Sequence, residues 1–165
     1  MNETESSIAV ANYFIKRARE EGAFLNAVKL LKLVYISHGW YLSLYDVPLL
    51  HEVIFAFKYG PVVALLHKEI YFHGDENISN ELSEVNSELN LTQRMVSDSK
   101  FEFLNKIWDT YKKYTSMELS TLVRAKGSPW LNTYDVNNHN NQIIPNDMIK
   151  NYYDIKMLQI KINDM

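Results

Sequence analysis

Apolar residues recur at helical spacing through most of this chain. The first such stretch runs from about residue 6 to 21, where Ser6 or Ser7 can cap the start of a helix. Asn26 is a suitable cap for a second helix that extends to about Tyr45. Similar patterns predict further helices at about 61–72, 99–114, 115–127 and from 145 onward.

The second predicted helix is apolar on nearly every side. Apolar and aromatic residues occupy a broad face, and only a narrow strip that includes Lys29, Lys32 and Ser43 is polar. A helix of this kind is either central to a bundle or covered on its outer side by another element. We therefore expect it to be the hub of the fold.

A short strand is predicted at residues 52–58, because this segment is rich in β-branched and aromatic residues. Gly60 permits a backbone turn, and Pro61 suits the first position of a helix, where its missing N–H would be unpaired in any case. The KYGP segment is thus expected to be a strand-to-helix corner. We predict a mainly α fold, a compact bundle of about five to six helices with a short β element near 52–58, in a single domain over 1–165.

Two further local signals concern the second half of the chain. Residues 74–98 are acidic, with Arg94 as their one basic residue, and predict a loop with a short strand or turn around 89–91. The sequence TSME matches a capping box, in which Thr115 and Glu118 satisfy each other's free backbone donors.

Composition narrows the classes of partner. The formal net charge of -3 provides no global attraction to nucleic acid or anionic lipid. The absence of cysteine removes disulfides and thiolate zinc sites, and fits a reducing compartment. The N-terminus does not match a signal peptide, and no apolar run reaches the ~18 residues that span a membrane. We expect a cytoplasmic protein that binds no membrane.

No constellation of residues predicts catalysis, a metal or a cofactor, and we expect a protein that is not an enzyme. His38 lies on the apolar side of the second helix, where a hydrogen-bonded core histidine is the expected role. His67 and His73 do not share a helix face, and His139 falls in a polar loop, so no metal pair is predicted. A small hydrolase or transferase that uses His38 or His67 is kept as an alternative.

Three segments in order resemble one known family: residues 11–22, 26–50 and 52–63. The resemblance is to the SocA-like antitoxin domain, also called the Panacea domain, which includes phage-associated GepA-like proteins. Its most specific part combines K-L-x-K-L-x-Y-x-x-x-G-W-Y-L at 29–42 with Y-G-P-V at 59–62. The similarity is strong to about residue 72 and looser beyond.

The resemblance implies a mostly helical antitoxin of a bacterial or prophage toxin–antitoxin system, which neutralises a co-encoded protein toxin by direct binding. It also leaves open an adaptor that delivers the toxin to a protease. The residues Lys16, Arg17 and Arg19 motivate a further alternative, a DNA-binding regulator of its own operon. One departure is that Val123 and Arg124 stand where family members often have Thr-His.

Aromatic residues near turns indicate where a toxin would bind, since Tyr and Trp dominate protein interface hot spots. A rigid turn would present such side chains at low entropic cost. The alternative is that they fill the core of an aromatic-rich domain. Nucleic acid is not the expected partner, and a homo-oligomer is left open. The predicted partner-binding residues are Trp40, Tyr41, Lys58, Tyr59, Pro61 and Trp130.

Overall fold

A computed structural model describes residues 3–134 and 141–165 and confirms a mainly α fold. The helices are α1 (Ser7–Glu21), α2 (Ala27–Tyr45), α3 (Ala64–Ile70), α4 (Phe101–Tyr111), α5 (Ser116–Val123), α6 (Pro129–Thr133) and α7 (Asn146–Asn163). The strands are β1 (Ile54–Phe57), β2 (Gly60–Val62), β3 (Glu84–Val85), β4 (Leu91–Thr92) and β5 (Gln142–Ile144).

The first two helices begin where their sequence signals predict. The Ser6 hydroxyl accepts a hydrogen bond from the Ala9 amide at 3.0 Å, and the Asn26 side-chain oxygen accepts one from the Lys29 amide at 3.0 Å. These bonds satisfy amides that have no partner within the first turn. The Ser116 hydroxyl also donates to the Asn26 side chain at 2.7 Å, so the same cap joins α5 to α2.

Helix α2 is the hub of the fold, as predicted. It packs against α1, α3, α4, α5, α7 and strand β2. Every residue from Lys29 to Leu42 is buried, so the expected polar strip is not a solvent-facing one: Lys29 and Lys32 both lie inside. Because neighbouring elements cover all sides of the helix, its apolar residues are buried wherever they lie around its circumference.

The contact between α2 and α7 depends on Gly39. The ring of Tyr153 lies directly on the α2 backbone, and a Cβ added at Gly39 would lie 2.1 Å from Tyr153 Cε2. The ring also packs edge-on against Trp40, with centroids 5.0 Å apart. The absence of a side chain at this one position allows the two helices to approach closely.

The KYGP segment is a β-hairpin, and the predicted strand-to-helix corner is wrong. Strands β1 and β2 are antiparallel, with Phe57 opposite Gly60, so Lys58 and Tyr59 form a two-residue turn. Pro61 lies in β2, and α3 begins only at residue 64. β2 is at the edge of the sheet, where a proline costs no ladder hydrogen bond on its open side.

Strand β5 completes this sheet and was not predicted. It pairs antiparallel with β1 on the side opposite β2, with Ile144 next to Ile54. Two strands that both follow β1 in the chain, β2 directly and β5 far later, thus hold it on both edges. No short-range pattern indicates such a pairing, because it depends on where the chain returns after α6.

Two further local predictions are confirmed, and helices α4 and α5 are shorter than predicted, since α5 ends at residue 123 rather than 127. The capping box of α5 is formed, with the Thr115 hydroxyl accepting from the Glu118 amide at 3.1 Å and the Glu118 carboxylate from the Thr115 amide at 2.7 Å. The acidic stretch contains the β3–β4 hairpin, whose turn includes Leu89. Helix α4 ends at residue 111, three residues before its predicted end.

We predict that Gly39→Ala destabilises the protein by about 1–3 kcal/mol, because the added methyl collides with the Tyr153 ring and overpacks the α2–α7 contact. The intrinsic helix preference of alanine acts in the opposite direction by ~1 kcal/mol and does not compensate the collision. Chemical denaturation monitored by circular dichroism measures the change. The double variant Gly39→Ala/Tyr153→Leu should recover part of the loss; a Gly39→Ala protein as stable as the original would contradict the prediction.

Candidate partner-binding site at the hairpin

The structure buries four of the six predicted partner-binding residues: Trp40, Tyr41, Pro61 and Trp130. The Trp40 indole donates to the Tyr111 hydroxyl at 2.7 Å, and the Tyr41 hydroxyl accepts from Lys100 Nζ at 2.9 Å. Their polar atoms are therefore used inside the protein. The feature that misled the sequence argument is the burial of α2 on all sides, which leaves no outer face.

Lys58 and Tyr59 lie at the exposed tip of the β1–β2 hairpin. The Tyr59 side chain is 71% exposed, and the Lys58 ammonium lies 5.4 Å from the centre of its ring. An aromatic residue this exposed has no packing role of its own. These two residues remain the part of the predicted set that a partner protein can reach.

Trp130 stabilises the hairpin through a contact with the end of strand β1. Its indole nitrogen donates to the Phe57 carbonyl at 2.7 Å, at the last residue of β1 before the turn. Its ring stacks on Tyr134 with centroids 4.9 Å apart, and the Arg124 guanidinium lies 5.9 Å from its centre. The Trp130 side chain therefore fixes the turn that presents Lys58 and Tyr59, although it is itself buried.

A cavity of about 270 Å³ opens beside the turn, between α2, the hairpin and α3. We call it the hairpin pocket. Its walls are mostly apolar, and no aspartate or glutamate of the described residues lines it. The lining residues are Val28, Leu31, Lys32, Phe57, Lys58, Tyr59, Gly60, Val62, His67 and Asn141.

Lys32 is the unusual member of this lining. The residue is only 2% exposed, yet no residue of the described ranges gives its ammonium a hydrogen bond or an ion pair. Burial lowers the pKa of Lys32 to about 8, with the charge of Arg124 acting in the same direction. Sequence reasoning missed this residue because it assigned Lys32 to a solvated strip of α2.

Gly60 allows the hairpin to lie against Lys32. Its φ angle of 132° belongs to a region that other residues rarely adopt, and an added Cβ would lie 2.7 Å from Lys32 Nζ. The glycine therefore serves both the turn and the close approach of strand to lysine.

His67 and exposed aromatic side chains extend the site along α3. The His67 ring lies 5.2 Å from Phe57 and 5.8 Å from Tyr71, centre to centre. Burial lowers the pKa of His67, and the charge of Lys32 lowers it further, so the ring is neutral at pH 7. Tyr71 and Phe72 follow at the end of the helix, 66% and 89% exposed. Both were missed, although two adjacent aromatics two residues before Gly74, where the helix was expected to end, are a sign of an exposed helix end.

His38 has the core role predicted for it. Leu50 donates its amide to His38 Nδ1 at 3.3 Å, so the other ring nitrogen carries the proton and donates to the Asn146 side-chain oxygen at 2.8 Å. Burial lowers the pKa of His38 and keeps the ring neutral. The ring thus ties the segment before β1 to the start of α7. The predicted loop position of His139 lies outside the described residues.

The two arginines of the basic cluster of α1 are occupied by ion pairs. Arg17 pairs with Glu20 at 3.3 Å and with Glu21 at 3.0 Å. Arg19 donates to the Glu81 carboxylate at 2.8 Å and lowers the pKa of that carboxyl to about 2. Because each guanidinium already has an acidic partner, the motive for a DNA-binding surface at α1 is weakened.

Other catalytic and metal-binding arrangements find no support in the described part of the chain. Ser97 and Lys100 have the spacing of an S-x-x-K pair, but Ser97 donates to Glu5 while Lys100 donates to Tyr41. Across 3–134 and 141–165, no three histidine, aspartate or glutamate side chains are grouped as a metal ion requires. No helix within those ranges is both long and apolar enough to cross a membrane.

The architecture is thus a mainly helical domain with a small sheet whose hairpin turn is exposed beside a pocket. The chain belongs to the family of antitoxin SocA-like Panacea domains, whose family model matches residues 30–131. The matched region extends from α2 to α6 and contains nearly all of the hairpin pocket. No curated protein and no solved structure matches the chain.

Arg124, which departs from the family pattern, lies next to the pocket. Its Nε donates to the Ser120 carbonyl at 3.1 Å, which holds the side chain along α5. Its charge acts on Lys32, as the lowered pKa of that lysine records. Arg124 therefore places a second positive charge beside the pocket.

We predict that Lys32→Met stabilises the free protein by about 1–3 kcal/mol at pH 7, because burying an unpaired ammonium is costly and a methionine of similar shape removes that cost. The pKa of Lys32 is about 8 in the folded protein and near 10.5 in an unfolded chain. Below pH 8 the ammonium is protonated in both states and the penalty is complete. Between pH 8 and 10.5 the unfolded chain binds more protons, so the stability of the original protein rises and the advantage of the variant declines.

Denaturation of both proteins from pH 6 to 10.5 measures this difference. Lys29→Met is the matched control on the same helix. The Lys29 ammonium already donates to the Lys112 carbonyl at 2.6 Å, so its removal should not stabilise the protein at pH 7. A Lys32→Met variant less stable than the original at pH 7 would show that Lys32 is not an unpaired charge.

Proposed function

We propose that this protein is the antitoxin of a toxin–antitoxin pair, which neutralises a co-encoded toxin in the cytoplasm by direct binding and catalyses no reaction. Membership of the SocA-like Panacea antitoxin family is the observation that carries the proposal. The hairpin supplies the contact surface: Lys58 and Tyr59 at the tip, the pocket beside them, and Tyr71 and Phe72 at the end of α3.

The physical properties of this surface suit protein binding. Tyr59, Tyr71 and Phe72 expose large aromatic areas, which are the side chains that most often contribute binding energy at interfaces. The turn that carries Tyr59 is supported by the pairing of β1 with β5 and by the hydrogen bond from the Trp130 indole to the Phe57 carbonyl. Because the turn is ordered before binding, association loses little conformational entropy there.

The charges on α1 and on the hairpin surface also fit direct binding to a protein better than binding to DNA. The arginines of α1 that motivated an operator-binding surface are paired with glutamates. The hairpin surface combines one exposed lysine with aromatic side chains, whereas a phosphate backbone requires several cations along one face.

We predict that Tyr59→Ala lowers the affinity for the toxin by about 30-fold, because truncation of an interface hot spot costs ~2 kcal/mol or more. The toxin is sought as the product of the adjacent open reading frame. Its expression alone should arrest growth, and co-expression with the original antitoxin should restore it. Growth rescue and the affinity of the purified pair are measured for the original protein and for each variant.

Tyr45→Ala is the control, since Tyr45 is a partly exposed tyrosine at the far end of α2. It should rescue growth fully, whereas Tyr59→Ala and Lys58→Glu should not. The abundance of the toxin in the rescued cells separates blocking from delivery to a protease. Full rescue by a folded Tyr59→Ala protein would remove the hairpin tip from the interface, and a harmless neighbour protein would contradict the antitoxin function itself.

A further inference from the structure

Lys32 holds a positive charge at the base of the hairpin pocket without a partner in the described residues. The side chain is almost completely buried and borders the cavity. Other buried lysines of this protein are paired: Lys29 donates to the Lys112 carbonyl at 2.6 Å, and Lys100 to the Tyr41 hydroxyl at 2.9 Å. A buried charge is ordinarily paired, and this ammonium instead borders a cavity that an acidic group of a partner can enter.

The surroundings of this ammonium are positive as well as apolar. Arg124 lies close enough to lower the pKa of Lys32, Lys58 stands at the rim, and no acidic residue of the described ranges lines the pocket. A positive pocket in a protein of net charge -3 is a local feature, and it favours an anionic group. Phe57, Leu31 and Val62 supply apolar walls, which suit whatever carries that group.

We propose that the hairpin pocket receives a carboxylate of the toxin, an acidic side chain or chain end beside an apolar or aromatic residue, with Lys32 as its counter-ion. The inference rests on the proposed function and names the chemistry of its central contact. The cavity of about 270 Å³ is slightly smaller than the ~300–1,000 Å³ typical of sites for drug-sized ligands, so it fits one or two side chains.

A carboxylate fits this site better than a phosphate. A phosphate presents three strong acceptor oxygens and is bound by several donors or a guanidinium fork. At its base the pocket offers one ammonium between apolar walls, while Lys58 lies at the rim and Arg124, outside the lining, donates its Nε to the Ser120 carbonyl. This arrangement matches a single carboxylate on an apolar body. Exclusion of water by those walls strengthens the charge-assisted hydrogen bond once it forms.

The pocket can be tested without the toxin, using phenylacetate as the probe and phenylacetamide as its neutral match. The full chain is labelled at the lysine side chains and titrated with each compound by NMR. Phenylacetate should shift the Lys32 signal saturably and raise its titration midpoint, while the Lys29 signal stays in place. Lys32→Met, verified as folded by circular dichroism, should abolish binding. Equal shifts with both compounds, or undiminished phenylacetate binding by Lys32→Met, would overturn the inference.

The second arm tests the source of the carboxylate. Lys32→Met should bind the toxin about 30-fold more weakly or worse, although the free variant is folded. One acidic group of the toxin, found by replacing its aspartates, glutamates and C-terminal residue in turn, should show the same loss. Combining that replacement with Lys32→Met should add little further loss, because both remove the same pair. Phenylacetate should also compete with the toxin.

The outcomes separate this inference from the proposed function. If the original protein and Lys32→Met bind the toxin equally, the carboxylate contact is wrong while the antitoxin function stands. If phenylacetate binds but the toxin affinity of Lys32→Met is unchanged, the pocket takes a free small carboxylate and the toxin is not its source. If the original protein does not bind the neighbouring protein at all, the proposed function fails, and this toxin-based inference fails with it whatever the phenylacetate titration shows.

Discussion

The burial of α2 on every side is the constraint on which the rest of the structure depends. From Lys29 to Leu42 no residue faces solvent, so the helix requires neighbours around its whole circumference. Helices α1, α3, α4, α5 and α7 pack on it, and strand β2 covers part of the remaining side. The hairpin is therefore a wall of the core as well as a surface element, and its position is set by the helix that it covers.

Two glycines allow neighbouring elements to pack closely against α2. At each of them, a side chain from another element lies directly on the glycine backbone. Gly39 admits the Tyr153 ring, and Gly60 admits the end of the Lys32 side chain. The first contact is ordinary packing of an aromatic ring against a helix backbone. The second leaves an ammonium in an apolar pocket, where we expect its burial to lower the stability of the free protein. A residue that lowers the stability of the free protein in this way is typical of a binding site, because function and maximal stability compete at such sites.

The site combines a rigid turn with an unusual charge. The turn is fixed by β5 and by the Trp130 indole, so Lys58 and Tyr59 are held in place rather than ordered on binding. The segment that contains Trp130 thus meets the hairpin that contains Y-G-P-V, and the first supports the second. A domain of this kind can bind partners through a few exposed side chains while its fold is determined by the core behind them.

Local chemistry is what the sequence by itself determined: the Ser6 and Asn26 caps, the Thr115 capping box and the apolar character of α2 are all short-range patterns with one physical outcome. The KYGP segment has no such single outcome, because a proline fits both the first turn of a helix and an edge strand. Pairing with β1, itself held by a strand about 90 residues away, decided in favour of the hairpin.

The exposure of the site residues could not be predicted for the same reason. Periodicity cannot tell an aromatic that faces solvent, such as Tyr59, from one that faces a neighbouring helix. Only the packing of distant elements buried Trp40 and enclosed Lys32, since burial is a property of what surrounds a residue and not of the residue itself.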